Sequence, residues 1–331
     1  MSGPAPRFGV ALDFAAPPGQ TYAERLAELD PVLDLVGAAG YDALSAGESY
    51  VFSRSDAMGF HGPNALMMLA ALAHRLTGVR LVAGVSLLAG WDARRLAYDS
   101  ALVDQLSGGR LTLGLGLGSP AAWRVFGIAP EALGRRLEST VRLLREAWSG
   151  SFSLPEGRVD LVPGPVQEGG PRILLGGARK VSAERAAALA DGFVASSGYS
   201  RDLIARQVRR YREAAAPGTV GSVSVNRFAV VAATEREALA RYREHVAPLL
   251  AAYRATGLVD RRDPELDRDQ LCLVGTPAQV AERTAEYAEL GVTDLQLRVR
   301  PGRLPVAAAL ESLELIADEV RPRFVSGGEV A

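Results

Sequence analysis

The sequence predicts a (β/α)8 barrel, because short apolar runs alternate with helical stretches eight times along its 331 residues. The clearest unit spans residues 79–119, where an apolar run, a helical stretch, the pair Gly108-Gly109 and a second apolar run follow one another. This spacing is typical of two parallel strands joined by a crossover helix. No second hydrophobic core is implied, so we expect one domain over residues 1–331. An open doubly wound sheet is the alternative.

The predicted elements follow from the apolar patterning in chain order. Strands are predicted at residues 7–13, 41–46, 79–88, 110–117, 172–175, 192–195, 223–233 and 293–299. Helices are predicted between them at 22–39, 63–75, 92–108, 131–148, 181–190, 201–216, 235–255, 277–290 and 305–320. Three stretches interrupt this pattern and are predicted as insertions, near 47–62, 150–170 and 256–270. The second insertion reads as a small hairpin followed by a proline-rich connector.

The composition argues against several classes of function. The chain has 37 Lys and Arg residues against 38 Asp and Glu residues, so it lacks the basic field that nucleic-acid binding requires. Its single cysteine, Cys272, allows neither an intrachain disulfide nor a thiolate metal cage. The N-terminus has no secretory pattern, and no apolar run reaches the length of about 20 residues that spans a membrane. We therefore expect a cytoplasmic protein that binds no metal, nucleic acid or membrane.

A glycine turn after the predicted fifth strand is the first candidate site. The segment Leu174–Lys180 reads LLGGARK, and a helix is predicted to begin directly after it. Free backbone N–H groups at a helix start can hold a phosphate, and Arg179 and Lys180 would add positive charge. The alternative is an ordinary glycine turn with two exposed basic residues. A Schiff base on Lys180 with pyridoxal phosphate is less favoured, because the lysine follows GGAR at a helix start.

Two weaker candidates lie in other loops and strands. The run Gly114–Gly118 has glycines in a GxGxG pattern, which is not the dinucleotide fingerprint and also suits a strand that must pack closely. Glu48 follows the second strand, where a carboxylate can carry a proton or accept a hydrogen bond from a ring nitrogen. A solvated loop charge is the alternative for Glu48. His61 lies further along the same polar loop, where a surface position is favoured over a catalytic one.

Taken together and in this order, the motifs resemble the bacterial luciferase-like flavin oxidoreductase family. The most specific match is Asp104–Leu111 (DQLSGGRL) leading into the Gly114–Gly118 strand, with the turn Leu175–Gly177 further on. Other matches lie across nearly the whole chain, at residues 40–44 (GYDAL) before Gly47-Glu48, 165–167 (PVQ), 190–193 (ADGF), 274–277 (VGTP) and 297–302 (LRVRPG).

This resemblance implies a (β/α)8 barrel, usually a homodimer, that binds FMN or the deazaflavin coenzyme F420 at the C-terminal ends of its strands. The cofactor-binding residues that it implies are Gly84, Val85, Ser86, Gly116, Gly118, Gly176, Gly177, Ala178 and Arg179. Gly84, Val85 and Ser86 would support the flavin ring, often through a non-proline cis peptide. Gly116 and Gly118 would lie near the ring or ribityl chain, and the segment Gly176–Arg179 would hold the phosphate. Glu48 and His61 are the predicted catalytic residues, and Ser49 stands where the family commonly has histidine.

The resemblance also implies the reaction. We expect an oxidoreductase that uses reduced FMN and O2 to oxygenate a small organic substrate. A separate reductase would supply the reduced flavin, because no nicotinamide fingerprint is present. The alternatives are hydride transfer with coenzyme F420 and a non-catalytic flavin-binding barrel.

Overall fold

The structure is a computed structural model that describes residues 5–17, 19–49, 62–219, 221–256, 268–301 and 304–325. The predicted catalytic residue His61 lies outside the described residues, as do most of the predicted insertions near 47–62 and 256–270.

Eight parallel strands close into a barrel, which confirms the predicted fold class. The strands within the described ranges are β1 (Arg7–Leu12), β2 (Ala43–Ala46), β3 (Arg80–Leu87), β4 (Leu111–Gly116), β5 (Ser151–Leu154), β6 (Gly157–Asp160), β7 (Arg172–Gly176), β8 (Gly192–Ala195), β9 (Ser222–Val231), β10 (Cys272–Gly275) and β11 (Asp294–Arg298). The barrel order is β1-β2-β3-β4-β7-β8-β9-β11, and β11 pairs with β1 to close it.

Two features lie outside the barrel ring. Strands β5 and β6 form the small antiparallel hairpin that the sequence predicts in the insertion near 150–170. Strand β10 pairs in parallel with Phe228–Val231, the part of β9 beyond the segment that pairs with β8. The sequence analysis missed β10.

Helices cover the outside of the barrel. They are α1 (Tyr22–Ala38), α2 (Ala65–Leu72), α3 (Ala93–Ser107), α4 (Pro120–Val125), α5 (Leu133–Trp148), α6 (Lys180–Leu189), α7 (Arg201–Ala214), α8 (Glu235–Arg241), α9 (Ala247–Thr256), α10 (Arg268–Leu271), α11 (Pro277–Glu289), α12 (Val306–Leu315) and α13 (Pro322–Val325). A π-helical turn, Tyr242–Val246, joins α8 to α9, and another, Ile316–Val320, follows α12. No helix in the described ranges is long and apolar enough to cross a membrane.

Helix ends follow from local sequence signals. The side chain of Asp92 accepts hydrogen bonds from the first turn of α3, and Gly108, at φ 65°, ends that helix in the left-handed region. Thr276 forms a capping box at the start of α11. Two predicted boundaries are wrong. Helix α2 begins at Ala65 rather than at the predicted Pro63, because the side chain of Asn64 caps it by accepting a hydrogen bond from Met67 N. The connection between the predicted strand at 110–117 and the predicted helix at 131–148 contains the short helix α4, which the side chain of Ser119 caps.

Asp104 attaches the connector after the hairpin to the barrel. Its carboxylate is fully buried and accepts hydrogen bonds from Val166 N, Gln167 N and Gln167 Nε2 at 2.7–2.9 Å. It also accepts from Leu111 N, the first residue of β4, at 3.4 Å. Asp104 therefore fixes the connector against the N-terminal ends of the strands, at the opposite end of the barrel from their C-terminal ends.

The barrel interior is polar near the N-terminal ends of the strands. Asp294 accepts hydrogen bonds from Arg7 and Arg80 there. Above this ion cluster lies a cavity of about 10 Å³, whose lining includes Thr112, Ser224 and other inward-facing side chains. Because side chains alternate between the two faces of a strand, the residues that line this cavity show which positions of each strand face inward.

Candidate functional site

The C-terminal mouth of the barrel holds most of the described candidate residues. Every second residue along a strand faces the same way, so counting in steps of two from the residues that line the interior cavity gives the inward positions at this end. They include Gly84, Gly116, Gly176, Asn226 and Arg298. In barrels of this type the chemistry sits at this end, because the loops that follow the strands converge there.

Strand β3 forms one wall of the mouth through a bulge. Its pairing with β4 shifts between Ala83 and Ser86, and the Gly84–Val85 peptide bond is cis, as the resemblance to the luciferase-like family leads us to expect. An extra residue in the strand places Gly84 and Val85 together on the inward side.

Glycines on β4 make room for this bulge. A Cβ on Gly114 would lie 2.5 Å from Ala83 O, and a Cβ on Gly116 would lie 2.7 Å from Val85 Cγ2. A side chain at either position would therefore push β3 or the Val85 side chain aside. The GxGxG pattern thus has a packing cause, and its effect is to hold Val85 at the inner wall.

Ser86 and Gly118 lie differently from the other predicted ring residues. Ser86 pairs with Leu115, its side chain is fully buried, and Ser86 Oγ has no hydrogen-bond partner among the residues that the structure describes. Gly118 has φ 85°, and a Cβ there would lie 3.4–3.5 Å from Ala89 and Trp123. Gly118 therefore lets the loop after β4 pack against the turn after β3.

Glu48 is buried beside the C-terminal end of β3, with 9% of its surface exposed. Its carboxylate accepts hydrogen bonds from Leu87 N at 2.7 Å, Ala65 N at 3.2 Å and Trp91 Nε1 at 3.4 Å. Glu48 thus joins the end of β3 to the first residue of α2. A catalytic role for Glu48 stays a prediction, and the contacts show that it also fixes the backbone directly after the bulge.

The glycine turn after β7 lies two strands away from the bulge. A Cβ on Gly176 would lie 2.4 Å from Val194 O, so β7 and β8 need a glycine to pair this closely. Gly177 has φ 153°, and a Cβ there would lie 2.3 Å from Ser182 Oγ. Both glycines are therefore required by the backbone path into α6.

The start of α6 leaves backbone N–H groups available. No side chain caps the helix, and the N–H groups of Ala178, Lys180 and Val181 donate no hydrogen bond within the described part of the chain. The side chains of Arg179 and Lys180 are exposed, and Lys180 Nζ lies 3.5 Å from Glu184 Oε1. The N–H groups are thus available to a ligand in front of the turn, whereas Lys180 is paired with Glu184.

The wall opposite the bulge is an ion pair that the sequence analysis missed. Arg298 Nη2 donates to Asp13 Oδ2 at 3.1 Å, and Arg298 Nη1 donates to Tyr253 Oη at 2.9 Å. The guanidinium lies 5.1 Å from the centroid of the Phe228 ring. Desolvation lowers the pKa of Arg298, but Tyr253 and Asp13 raise it by more, so the net pKa is raised and the guanidinium stays charged.

Comparison with known proteins identifies the family to which this geometry belongs. The family described as luciferase-like monooxygenase matches residues 6–294. The chain belongs to this family. Members of the luciferase-like monooxygenase family that resemble it are flavin-dependent oxidoreductases in the broad sense that includes deazaflavin enzymes.

The similar proteins differ in their cofactors. The chain is 26% identical over 323 residues to the F420-dependent glucose-6-phosphate dehydrogenase of Mycolicibacterium smegmatis, a match that covers 90% of this chain and 94% of that protein. It is 26% identical over 234 residues to the FMNH2-dependent dimethylsulfone monooxygenase of Pseudomonas putida, covering 61% and 64%. The solved structure of a monooxygenase from Streptomyces bottropensis superposes with a TM-score of 0.83 at 24% identity, covering 96% and 99% of the two chains.

The mouth of this luciferase-like barrel fits a flavin or deazaflavin, which combines a flat ring with a phosphate-bearing chain. The inward bulge at Gly84-Val85 offers a side-chain-poor surface for the ring, and the turn at Gly176-Gly177 offers N–H groups for the phosphate. The buried Asn226 Oδ1, on the inward face of β9, has no hydrogen-bond partner in the described ranges and would accept from a ligand N–H or O–H.

Proposed function

We propose that this protein is an oxidoreductase that binds reduced FMN in the barrel mouth and uses O2 to oxygenate a small organic substrate. The single observation that supports it best is the coexistence of two surfaces at one end of the barrel. One is the bulge at Gly84-Val85, and the other is the glycine turn of Gly176–Arg179 at the start of α6. A ring-and-phosphate cofactor is the kind of ligand that uses both.

The chain's own residues bind and orient in this proposal. Val85 supports the ring, and the N–H groups of Ala178 and Lys180 hold the phosphate. Glu48 fixes the backbone at the end of β3, and its carboxylate is the proposed proton carrier. FMN, when bound, supplies the redox chemistry with O2.

FMN is favoured over coenzyme F420 by the charges around the turn. FMN ends at its phosphate, whereas coenzyme F420 extends beyond it with further carboxylates. Near the start of α6, Lys180 is paired with Glu184, and Arg185 Nε donates to Glu138 Oε1 at 2.7 Å. The positive charges of Lys180 and Arg185 are thus already balanced by neighbouring carboxylates, so they add little net positive charge to attract the anionic tail of coenzyme F420.

Hydride transfer with coenzyme F420 is the second candidate function. The observation that favours it is the similarity to an F420-dependent dehydrogenase along 90% of this chain. The FMN proposal also includes a separate flavin reductase as partner, which is tested by activity in a coupled system. It further includes a homodimeric assembly, which is tested by sedimentation.

An anaerobic titration distinguishes the cofactors. Reduced FMN and reduced coenzyme F420 are titrated against the wild-type protein, Gly116→Ala and Gly37→Ala, and tryptophan fluorescence is recorded. Gly116→Ala pushes Val85 out of place, whereas a Cβ on Gly37 in α1 meets only Leu76 Cδ2 at 3.9 Å and serves as the matched control.

The proposal predicts that reduced FMN binds more tightly than reduced coenzyme F420, that Gly116→Ala weakens FMN binding about tenfold, and that Gly37→Ala leaves it unchanged. Preference for coenzyme F420 would replace the proposal with hydride transfer. Binding of neither cofactor would leave a barrel without the proposed cofactor site.

A further inference from the structure

A glutamine on α7 is bonded to the backbone of the glycine turn. Gln207 is fully buried, and its side-chain amide lies behind the turn that starts α6. Gln207 Nε2 donates to Gly177 O at 2.8 Å and to Arg179 O at 2.9 Å. The two hydrogens of one amide group thus hold two carbonyls of the turn at once.

The orientation of this amide is fixed by a third contact. Arg210 Nη1, one turn further along α7, donates to Gln207 Oε1 at 2.9 Å. A flipped amide would place its oxygen against two carbonyl oxygens and its nitrogen against the guanidinium. The contacts therefore allow only the arrangement in which Gln207 donates to the turn.

Holding the carbonyls determines where the neighbouring N–H groups point. In a trans peptide unit the C=O and the N–H are directed to opposite sides. The Gly177 carbonyl shares its peptide unit with Ala178 N–H, and the Arg179 carbonyl shares its unit with Lys180 N–H. Because Gln207 draws both carbonyls toward α7, both N–H groups are directed away from α7, toward the space in front of the turn.

We infer that Gln207 is a positioning residue for the cofactor phosphate. It never touches the ligand, and it acts by holding Ala178 N–H and Lys180 N–H in parallel before the phosphate arrives. Binding then requires no reorganisation of the turn. This inference rests on the proposed function, since it assumes that the phosphate lies at this turn.

The test compares reduced FMN with reduced riboflavin, which is the same molecule without the phosphate. Dissociation constants for both are measured anaerobically on the wild-type protein, Gln207→Glu, Gln207→Leu and Val208→Ala. Gln207→Glu keeps an acceptor for Arg210 and loses the N–H groups that donate to the turn, but it also adds a negative charge. Gln207→Leu removes the same contacts without adding charge, so the inference requires the loss in both variants. Val208 is a buried residue of α7 that faces Gly291, which makes Val208→Ala the matched control for disturbance of the helix.

The inference predicts that both Gln207 variants weaken FMN binding about tenfold while riboflavin binding changes less than about twofold. Val208→Ala should leave the ratio of the two constants at the wild-type value. A wild-type preference for FMN that persists in both Gln207 variants would overturn the inference alone, as would equal losses for FMN and riboflavin. A wild-type protein that binds both ligands equally would overturn the phosphate placement of the proposed function and, with it, this inference.

Discussion

Gly177 is the position where the structure makes the sharpest quantitative prediction about the cofactor site. Substitution by alanine has two separate costs. The backbone has φ 153°, where a side chain is strained, and the new Cβ would lie 2.3 Å from Ser182 Oγ and 2.6 Å from Ser182 Cβ. Among the described residues other than the two chain neighbours of Gly177, only these two atoms lie within 4 Å of the new Cβ, so the steric cost has a single source.

The magnitudes follow from these two contributions. A residue other than glycine in this part of backbone space costs about 1–3 kcal/mol. Forcing a methyl group against the Ser182 side chain costs about 1–3 kcal/mol more, because α6 must shift to relieve it. Gly177→Ala should therefore lower the free energy of unfolding by about 2–6 kcal/mol.

A double variant separates the two costs. Ser182→Gly removes both clashing atoms, so Gly177→Ala made in the Ser182→Gly background should cost only the backbone contribution, about 1–3 kcal/mol. The free energy of unfolding is measured by urea titration for the wild type, both single variants and the double variant. An undiminished cost in the Ser182→Gly background, or no cost in the wild-type background, would refute the assignment of the clash to Ser182.

Three further predictions concern other parts of the chain. Asp104→Asn should lower the free energy of unfolding, measured by urea titration, by about 2–4 kcal/mol. Four N–H donors face this carboxylate, and the amide of the variant would add a further donor against them. An equally stable variant would contradict this prediction. Burial raises the pKa of Asp294, but hydrogen bonds from Arg7 and Arg80 lower it more, so its folded pKa lies below the ordinary 3.8. Asp294 therefore contributes fully to the free energy of unfolding above pH 3.8, and this contribution is lost as the pH falls through the folded pKa. Asp294→Asn should flatten the acid side of the plot of unfolding free energy against pH. An unchanged acid side would contradict this prediction. Glu48→Gln should weaken the binding of reduced FMN and of reduced riboflavin by the same factor, because it disturbs the end of β3 rather than the phosphate turn. A loss of affinity for FMN alone would contradict this prediction.

The fold could be predicted largely because its signals are local. Asp92 and Gly108 mark the two ends of α3 in the sequence itself, and apolar runs mark the barrel strands. Strand β10 has only a weak signal of this kind, the short apolar run Leu271–Val274 directly after a charged stretch. Cys272–Gly275 is a four-residue strand, and it exists because Phe228–Val231 extends β9 and offers a free edge far away in the sequence. Only the closed barrel shows that this edge is available.

The candidate site can be predicted from the sequence where one segment builds it. The turn at Gly176-Gly177 combines its glycines and the helix start in consecutive residues, and the structure places its N–H groups at the barrel mouth. The pair of Asp13 and Arg298 could not be found in this way. These residues are 285 positions apart and meet only because β11 closes against β1.

Gln207 had a signal that the sequence analysis did not use. It lies between Leu203 and Tyr211 on the buried face of α7, at a spacing where an apolar residue is the ordinary choice. A buried glutamine needs partners for both of its polar atoms, so its presence on that face implies a specific contact. The identity of the partner, the turn before α6, depends on how α7 packs against α6.

A crystal structure of the protein with FMN would test the central claim most directly. The proposal predicts that the phosphate lies within hydrogen-bond distance of Ala178 N and Lys180 N, and that the ring lies against Val85 on the inward bulge of β3. FMN bound with its phosphate at another set of residues, or with its ring away from Val85, would contradict the proposed site.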